Sequence, residues 1–156
     1  TSPLARIMES TPALRTAAHL EIEIAEEFDE EWFAVYAANE AMDARTAEVR
    51  RQILRAIKGP VAFAHANIDG APAAAGLGVI GGAWLGIFCM STHPSQRRRG
   101  AALGLLRALA IWGSLNEAAA AYLQVSHRNS AALATYARAG FTPAYAYHYR
   151  VKMGTA

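Results

Sequence analysis

The chain has 156 residues, 53% of them hydrophobic and 18% charged, with a formal net charge of +2. That composition supplies one packed core and excludes disorder over most of the length. The near balance of charge gives no support to a general nucleic-acid or membrane role, and a single cysteine, Cys89, excludes an internal disulfide framework.

In chain order, residues 1–15 are mixed, with Leu4 to Met8 fitting one short strand. Leu20, Ile22 and Ile24 alternate with Glu21 and Glu23, which predicts a half-exposed strand over 19–24. Asp29 is placed to cap a helix whose first turn sets glutamates against the positive end of the dipole, and Trp32, Val35, Tyr36 and Asn39 recur at helical spacing. A second helix is expected from about Arg45 to Lys58. It has Val49, Ile53 and Ile57 on one apolar stripe, Arg50, Arg51 and Arg55 as a solvated face, and Gly59-Pro60 as its stop.

From Val61 the period changes to that of strands. Val61 to Ile68, Ala73 to Ile80 and Ala83 to Met90 are apolar runs separated by Asp69-Gly70 and Gly81-Gly82, which suit tight hairpins and predict an antiparallel meander. The last run leads into Arg97-Arg98-Arg99-Gly100-Ala101-Ala102, a basic, small-residue turn that opens a helix over about 100–115. The first amides of a helix have no partner within it and can donate to a pyrophosphate; small residues let the ligand close in, and arginines add charge and forked donors. Leu105, Leu109 and Trp112 share a face of that helix, and Ala121 to Val125 suits a buried strand beside the meander. Asn129 is a good N-cap and Gly140 a good left-handed stop for a short helix with Ala132 and Tyr136 on one face. The final run, about Thr142 to Val151, alternates Tyr145, Tyr147 and Tyr149 against Ala144, Ala146 and His148 and predicts one strand with an aromatic face.

In this order the pieces resemble the GNAT superfamily of N-acetyltransferases. Arg97 to Ala102 is similar to that family's Arg/Gln-x-x-Gly-x-Gly/Ala pyrophosphate loop, with His93-Pro94 before it. Asn129, Ala132, Tyr136, Gly140 and Phe141 are similar to its second motif, Asn-x-x-Ala-x-x-x-Tyr-x-x-x-Gly-Phe. The resemblance implies an α/β (α+β) chain with the GNAT-like acyl-CoA N-acyltransferase fold, a mixed, mostly antiparallel central sheet flanked by about four helices. It implies one domain over 1–156 with its core at 19–151, and acetyl-CoA (coenzyme A) as the acyl donor. A small-molecule or peptide amine would attack the thioester directly. Arg97, Arg98, Arg99, Gly100, Ala101 and Ala102 would hold the pyrophosphate, and Met90, Ser91 and Thr92 would pair with the pantetheine arm. An amide near Met90 would polarise the thioester carbonyl. Asn129 would bond the pantetheine, Ala132 would leave it room, and Tyr136 would be the general acid for the leaving thiolate.

Family members commonly place a carboxylate on the strand entering the phosphate loop or on the strand after the long helix. Neither Trp84 to Met90 nor Tyr122 to Ser126 has one. The proton acceptor is therefore open among Glu23, Glu26, His127, a water chain and an amine that arrives neutral. Cys89, in an apolar strand without an activating base, is expected to be an inert buried thiol. The histidines are scattered, so no metal is expected, and without a leader pattern or an apolar run of spanning length a soluble cytoplasmic protein is expected.

The family usually pairs two strands after the Asn-to-Gly helix, and here one run fits. The missing neighbour is expected from the segment around Leu4 to Met8, in its own domain or from a partner subunit. The ending looks like the C-terminal half of two-domain GNAT proteins, so a homodimer would replace the lost half. The acidic stretch Glu26 to Glu31 favours a cationic acceptor, and helix-dipole complementarity accounts for it equally well. Two alternatives stand beside the enzyme. One is a GNAT-like module that holds acyl-CoA without turnover; the other is a nucleic-acid binder using Gln96 to Arg99, for which the wide basic surface is absent.

Overall fold

Asp69 and Gly70 both take positive φ, 50° and 81°, and turn the chain back between β3 (Val61–Ile68) and β4 (Ala71–Gly81). At the next turn only Gly82 of the expected glycine pair does so, and β5 (Trp84–Thr92) follows. This is a computed structural model describing residues 6–9, 19–125, 129–145 and 148–152. β2 (Leu20–Ala25) joins the meander beside β3, and β1 (Arg6–Glu9) pairs with β2 at the edge. On the other side β6 (Ala120–Gln124) runs parallel to β5, and β7 (Thr142–Tyr145) and β8 (His148–Lys152) complete an eight-stranded sheet ordered β1-β2-β3-β4-β5-β6-β8-β7. Every other neighbouring pair is antiparallel.

The C-terminal run corrects the sequence reading. It forms two strands, with Tyr145 opposite His148 and β8 inserted between β6 and β7. Alternation belongs to each strand by itself and gives no sign of where a chain turns back, so the period of Tyr145, Tyr147 and Tyr149 in the sequence does not reveal the hairpin. The side chains of Tyr145 and Tyr149, and Tyr147 altogether, lie outside the described residues. No neighbour is missing beside β8, and the N-terminal strand pairs within its own chain at the opposite edge of the sheet.

Among the described residues four α-helices flank this sheet: α1 (Glu30–Asn39), α2 (Ala44–Arg55), α3 (Ala101–Leu115) and α4 (Ser130–Arg138). α3 buries Leu105, Leu109 and Trp112 against the face formed by Ala62, Ala64, Ala66 and Leu85. α1 buries Trp32, Phe33 and Tyr36 against Phe63, Ala75 and Leu77 on the other face. The Trp32 indole fixes α1 across two strands by donating to the carbonyls of Ala64 and Gly76, both at 2.9 Å.

Of the apolar stripe expected on the second helix, Ile57, just past α2, packs against the α1 cluster, and the other two face solvent. Val49 is 52% and Ile53 59% exposed, while Leu54 is the residue this helix buries. Of the arginines read as a solvated face, Arg50 and Arg55 are exposed and Arg51 is half-buried, yet two of them also pack on rings. Arg51 stacks 4.6 Å over the Phe33 ring and bonds Glu30, and Arg55 stacks 4.8 Å over Phe28 and bonds the same carboxylate. Guanidinium groups lie flat on aromatic rings and keep their edges free for carboxylates, so an arginine face can dock a helix where a periodicity count assigns it to water.

Candidate active site

Parallel pairing of β5 with β6 runs from Trp84 opposite Ala120 to Ile87 opposite Leu123 and stops there. Beyond it β5 acquires a bulge. Ala75 pairs with Ser91 and Leu77 with Phe88, so Cys89 and Met90 together face the single Gly76 of β4. Cys89 carries the distortion at φ 57°, a left-handed conformation unusual for a residue with a side chain. The bulge turns β5 away from β6, and a cavity of about 270 Å³ fills the gap. Tyr36, Glu40, Phe88, Cys89, Met90 and Tyr136 are among its walls, with Asn129 at the start of α4.

After β5 a short 3-10 turn, Pro94–Gln96, leads into the arginines. Arg98 and Gly100 take positive φ, 64° and 87°, and Gly100 is the N-cap of α3. No side chain caps this helix, so its first amides are left for an external acceptor. Arg97, Arg98, Arg99 and Gly100 are exposed, Ala101 is buried and Ala102 is half-buried. The Arg99 guanidinium donates to Gln96 Oε1 at 2.8 Å and lies 3.8 Å from the Asp69 carboxylate, which holds it beside the turn.

α4 begins as its sequence dictates: Asn129 Oδ1 accepts from the Ala132 amide at 3.1 Å, and Gly140 follows the helix at φ 97°. Tyr136 is buried against Phe141 with ring centroids 6.2 Å apart, and burial raises its phenol above the usual value. Across the cavity, burial pushes Tyr36 up to about 12, assisted by the charge of Cys89, while its hydroxyl accepts a bond from Arg50. Burial raises the Cys89 thiol as well, against an opposing hydrogen bond from Tyr36. Cys89 is thus a neutral thiol, as expected of an unactivated one, but it lines the cavity.

Of the residues expected to hold the donor, Met90, Asn129 and Tyr136 meet at the cavity. Ser91 is buried and its Oγ accepts from Asn39 Nδ2 of α1 at 3.1 Å, while Thr92 continues β5 toward the arginine turn. Ala132 is half-buried one turn into α4. Of the carboxylates considered as proton acceptors, Glu26 accepts from the Trp112 indole at 3.1 Å and Glu23 stands beside His65 on β3; neither lines the cavity. His127 lies outside the described residues. Among the described residues the carboxylate that does line it is Glu40, the C-cap of α1. Its signal was present as the next four-residue step after Trp32 and Tyr36, past the helix end.

A family described as "Probable histone acetyltransferase Rv0428c C-terminal" matches residues 3–150. The chain belongs to this family, within the GNAT superfamily of N-acetyltransferases. Among curated proteins, this GNAT domain is 39% identical over 57 residues to an uncharacterized N-acetyltransferase, YobR, of Bacillus subtilis; the match covers 36% of this chain and 23% of that one. The chain therefore spans less than a quarter of that relative. Its fold is shared with the ribosomal-protein-S18-alanine N-acetyltransferase of Escherichia coli, at TM-score 0.67 and 17% identity over 86% of this chain and 96% of that one. It is shared too with the PaiA N-acetyltransferase of Thermoplasma acidophilum solved with coenzyme A, at TM-score 0.61 and 14% identity, covering 84% and 98%. Among the described residues no helix is long and apolar enough to cross a membrane.

Proposed function

We propose that this domain transfers the acetyl group of acetyl-CoA to an amine, of a small molecule or a peptide, by direct attack on the thioester. The observation that carries the reading is the parting of β5 from β6 beyond Ile87 and Leu123, with the uncapped start of α3 downstream of β5 and Tyr136 on the wall of the gap. The coenzyme A held by the Thermoplasma neighbour supports the choice of donor.

In this reading the pyrophosphate lies at the turn Arg97 to Ala102, where the α3 amides and the arginine charge meet it. The pantetheine arm runs along β5 where β6 has left it, past Asn129 and Ala132. The amine nitrogen forms a bond to the thioester carbon, and the charge that develops on the carbonyl oxygen is met by the amide near Met90 at the bulge. As the carbon–sulfur bond breaks, Tyr136 gives its proton to the thiolate; a phenol held above its usual pKa stays protonated at neutral pH. Glu40 takes the proton that the attacking amine loses. Phe88, 39% exposed, and Tyr122, whose ring centroid is 6.0 Å from it, would face the acceptor's apolar part.

The test is amine-dependent thiol release. Purified protein, acetyl-CoA and a panel of primary amines and lysine- or N-terminal-amine peptides should release coenzyme A faster than hydrolysis without amine. The module reading is favoured by the absence of a carboxylate from β5 and β6. Saturable coenzyme A binding with release at background for every amine would establish it and end the enzymatic one.

A further inference from the structure

We propose a second site, unrelated to the cleft: a divalent transition-metal site formed by His65, Glu23 and Glu31. His65 is 3% exposed, and neither of its ring nitrogens has a hydrogen-bond partner among the described residues. Burying an imidazole whose ring nitrogens make no hydrogen bond is costly, so a side chain in this state needs a reason. It stands directly opposite Glu23 in the β2–β3 register, with Nε2 3.5 Å from Glu23 Oε2. Glu31, in the first turn of α1, completes the group: one ligand atom from each residue lies within 4.8 Å of the others. Trp32, the next residue, is pinned to β3 and β4 by its indole, so the backbone carrying Glu31 is held over the sheet.

One nitrogen and two carboxylate oxygens are a donor set for zinc and its late first-row neighbours; the imidazole makes it a poor one for magnesium or calcium. At metal–ligand distances of about 2.0–2.2 Å, tetrahedral ligand atoms stand roughly 3.3–3.6 Å apart. The group is thus slightly open, and the exposed Glu31 side chain is free to close it by rotation. Two carboxylates balance the ion's charge and outweigh the partial positive charge of about one half at the start of α1. A fourth position is left for water. Because the three ligands come from β2, β3 and α1, the ion would tie the start of the first helix to the sheet.

Untagged protein freed of metal by a chelator should bind zinc saturably with one ion per chain in calorimetry, with a rise in Tm, and magnesium should do neither. Glu31→Gln, at an exposed position, should keep the metal-free Tm and weaken zinc binding by about tenfold or more, and Glu23→Gln should do the same. His65→Ala should abolish binding if it folds; the glutamine variants decide the matter if it does not. Failure of the wild type to bind zinc, or equal affinity in Glu31→Gln, would overturn the site without touching the acetyltransferase reading.

Discussion

Ile87 of β5 and Leu123 of β6 are the last residues joined across the parallel junction, and beyond them Tyr136 lines the space that opens. In the proposed reaction its phenol protonates the leaving thiolate. Tyr136→Phe should therefore lower kcat by about 10²-fold or more while the KM for acetyl-CoA changes little, as measured by steady-state thiol release.

Glu40 lines the same cavity from the end of α1. If it accepts the amine's proton, Glu40→Gln should lose about 10²-fold in kcat/KM at neutral pH. The loss should shrink as pH rises and the free amine supplies itself in neutral form. A deficit that stays constant across the pH profile would assign Glu40 to binding rather than proton transfer.

Gly100 sits at φ 87° as the N-cap of α3. An alanine there must adopt the left-handed region at a cost of roughly 1–2 kcal/mol, and its relaxation would reorient the first amides of the helix. Gly100→Ala should lower stability to denaturant by about that amount and raise the KM for acetyl-CoA, with kcat preserved at saturation.

Tyr36, pushed up to about 12, and Cys89, also raised, are neutral acids whose protonated forms the fold favours. The stability they contribute is complete below their unfolded values, about 10 for tyrosine and 8.5 for cysteine, and is lost as pH climbs through the folded ones. Unfolding free energy should be flat in these groups through the neutral range and fall from about pH 9 upward. Tyr36→Phe should make that alkaline decline shallower in urea titrations taken across the pH series.

Where local chemistry determines the conformation, the sequence was readable. Asn129 caps α4, Asp69-Gly70 turns β3 into β4, and the arginine turn joins β5 to α3, each from side chains or backbone preferences acting within a few residues. What was not readable depends on contacts across the sheet. Nothing at Cys89 signals a left-handed residue, because the bulge is fixed by β4 pairing on both sides of it. The part that arginines take in docking α2 follows from rings that α1 and the segment before it present to Arg51 and Arg55. Glu40 reaches the cavity because α1 lies across β3, β4 and β5, which no periodicity within α1 reports.

β8 is the last strand described in sequence, yet it lies inside the sheet, between β6 and β7. Until residues 148–152 are in place, β6 has a bare edge and β5 as its one strand neighbour. The meander β3–β4–β5 closes through short-range hairpins and can form early, whereas the far wall of the cleft waits for β8. A nascent chain would thus form the meander before its binding site, and loss of a few residues from β8 would leave the β6 wall of the cleft without its outer neighbour.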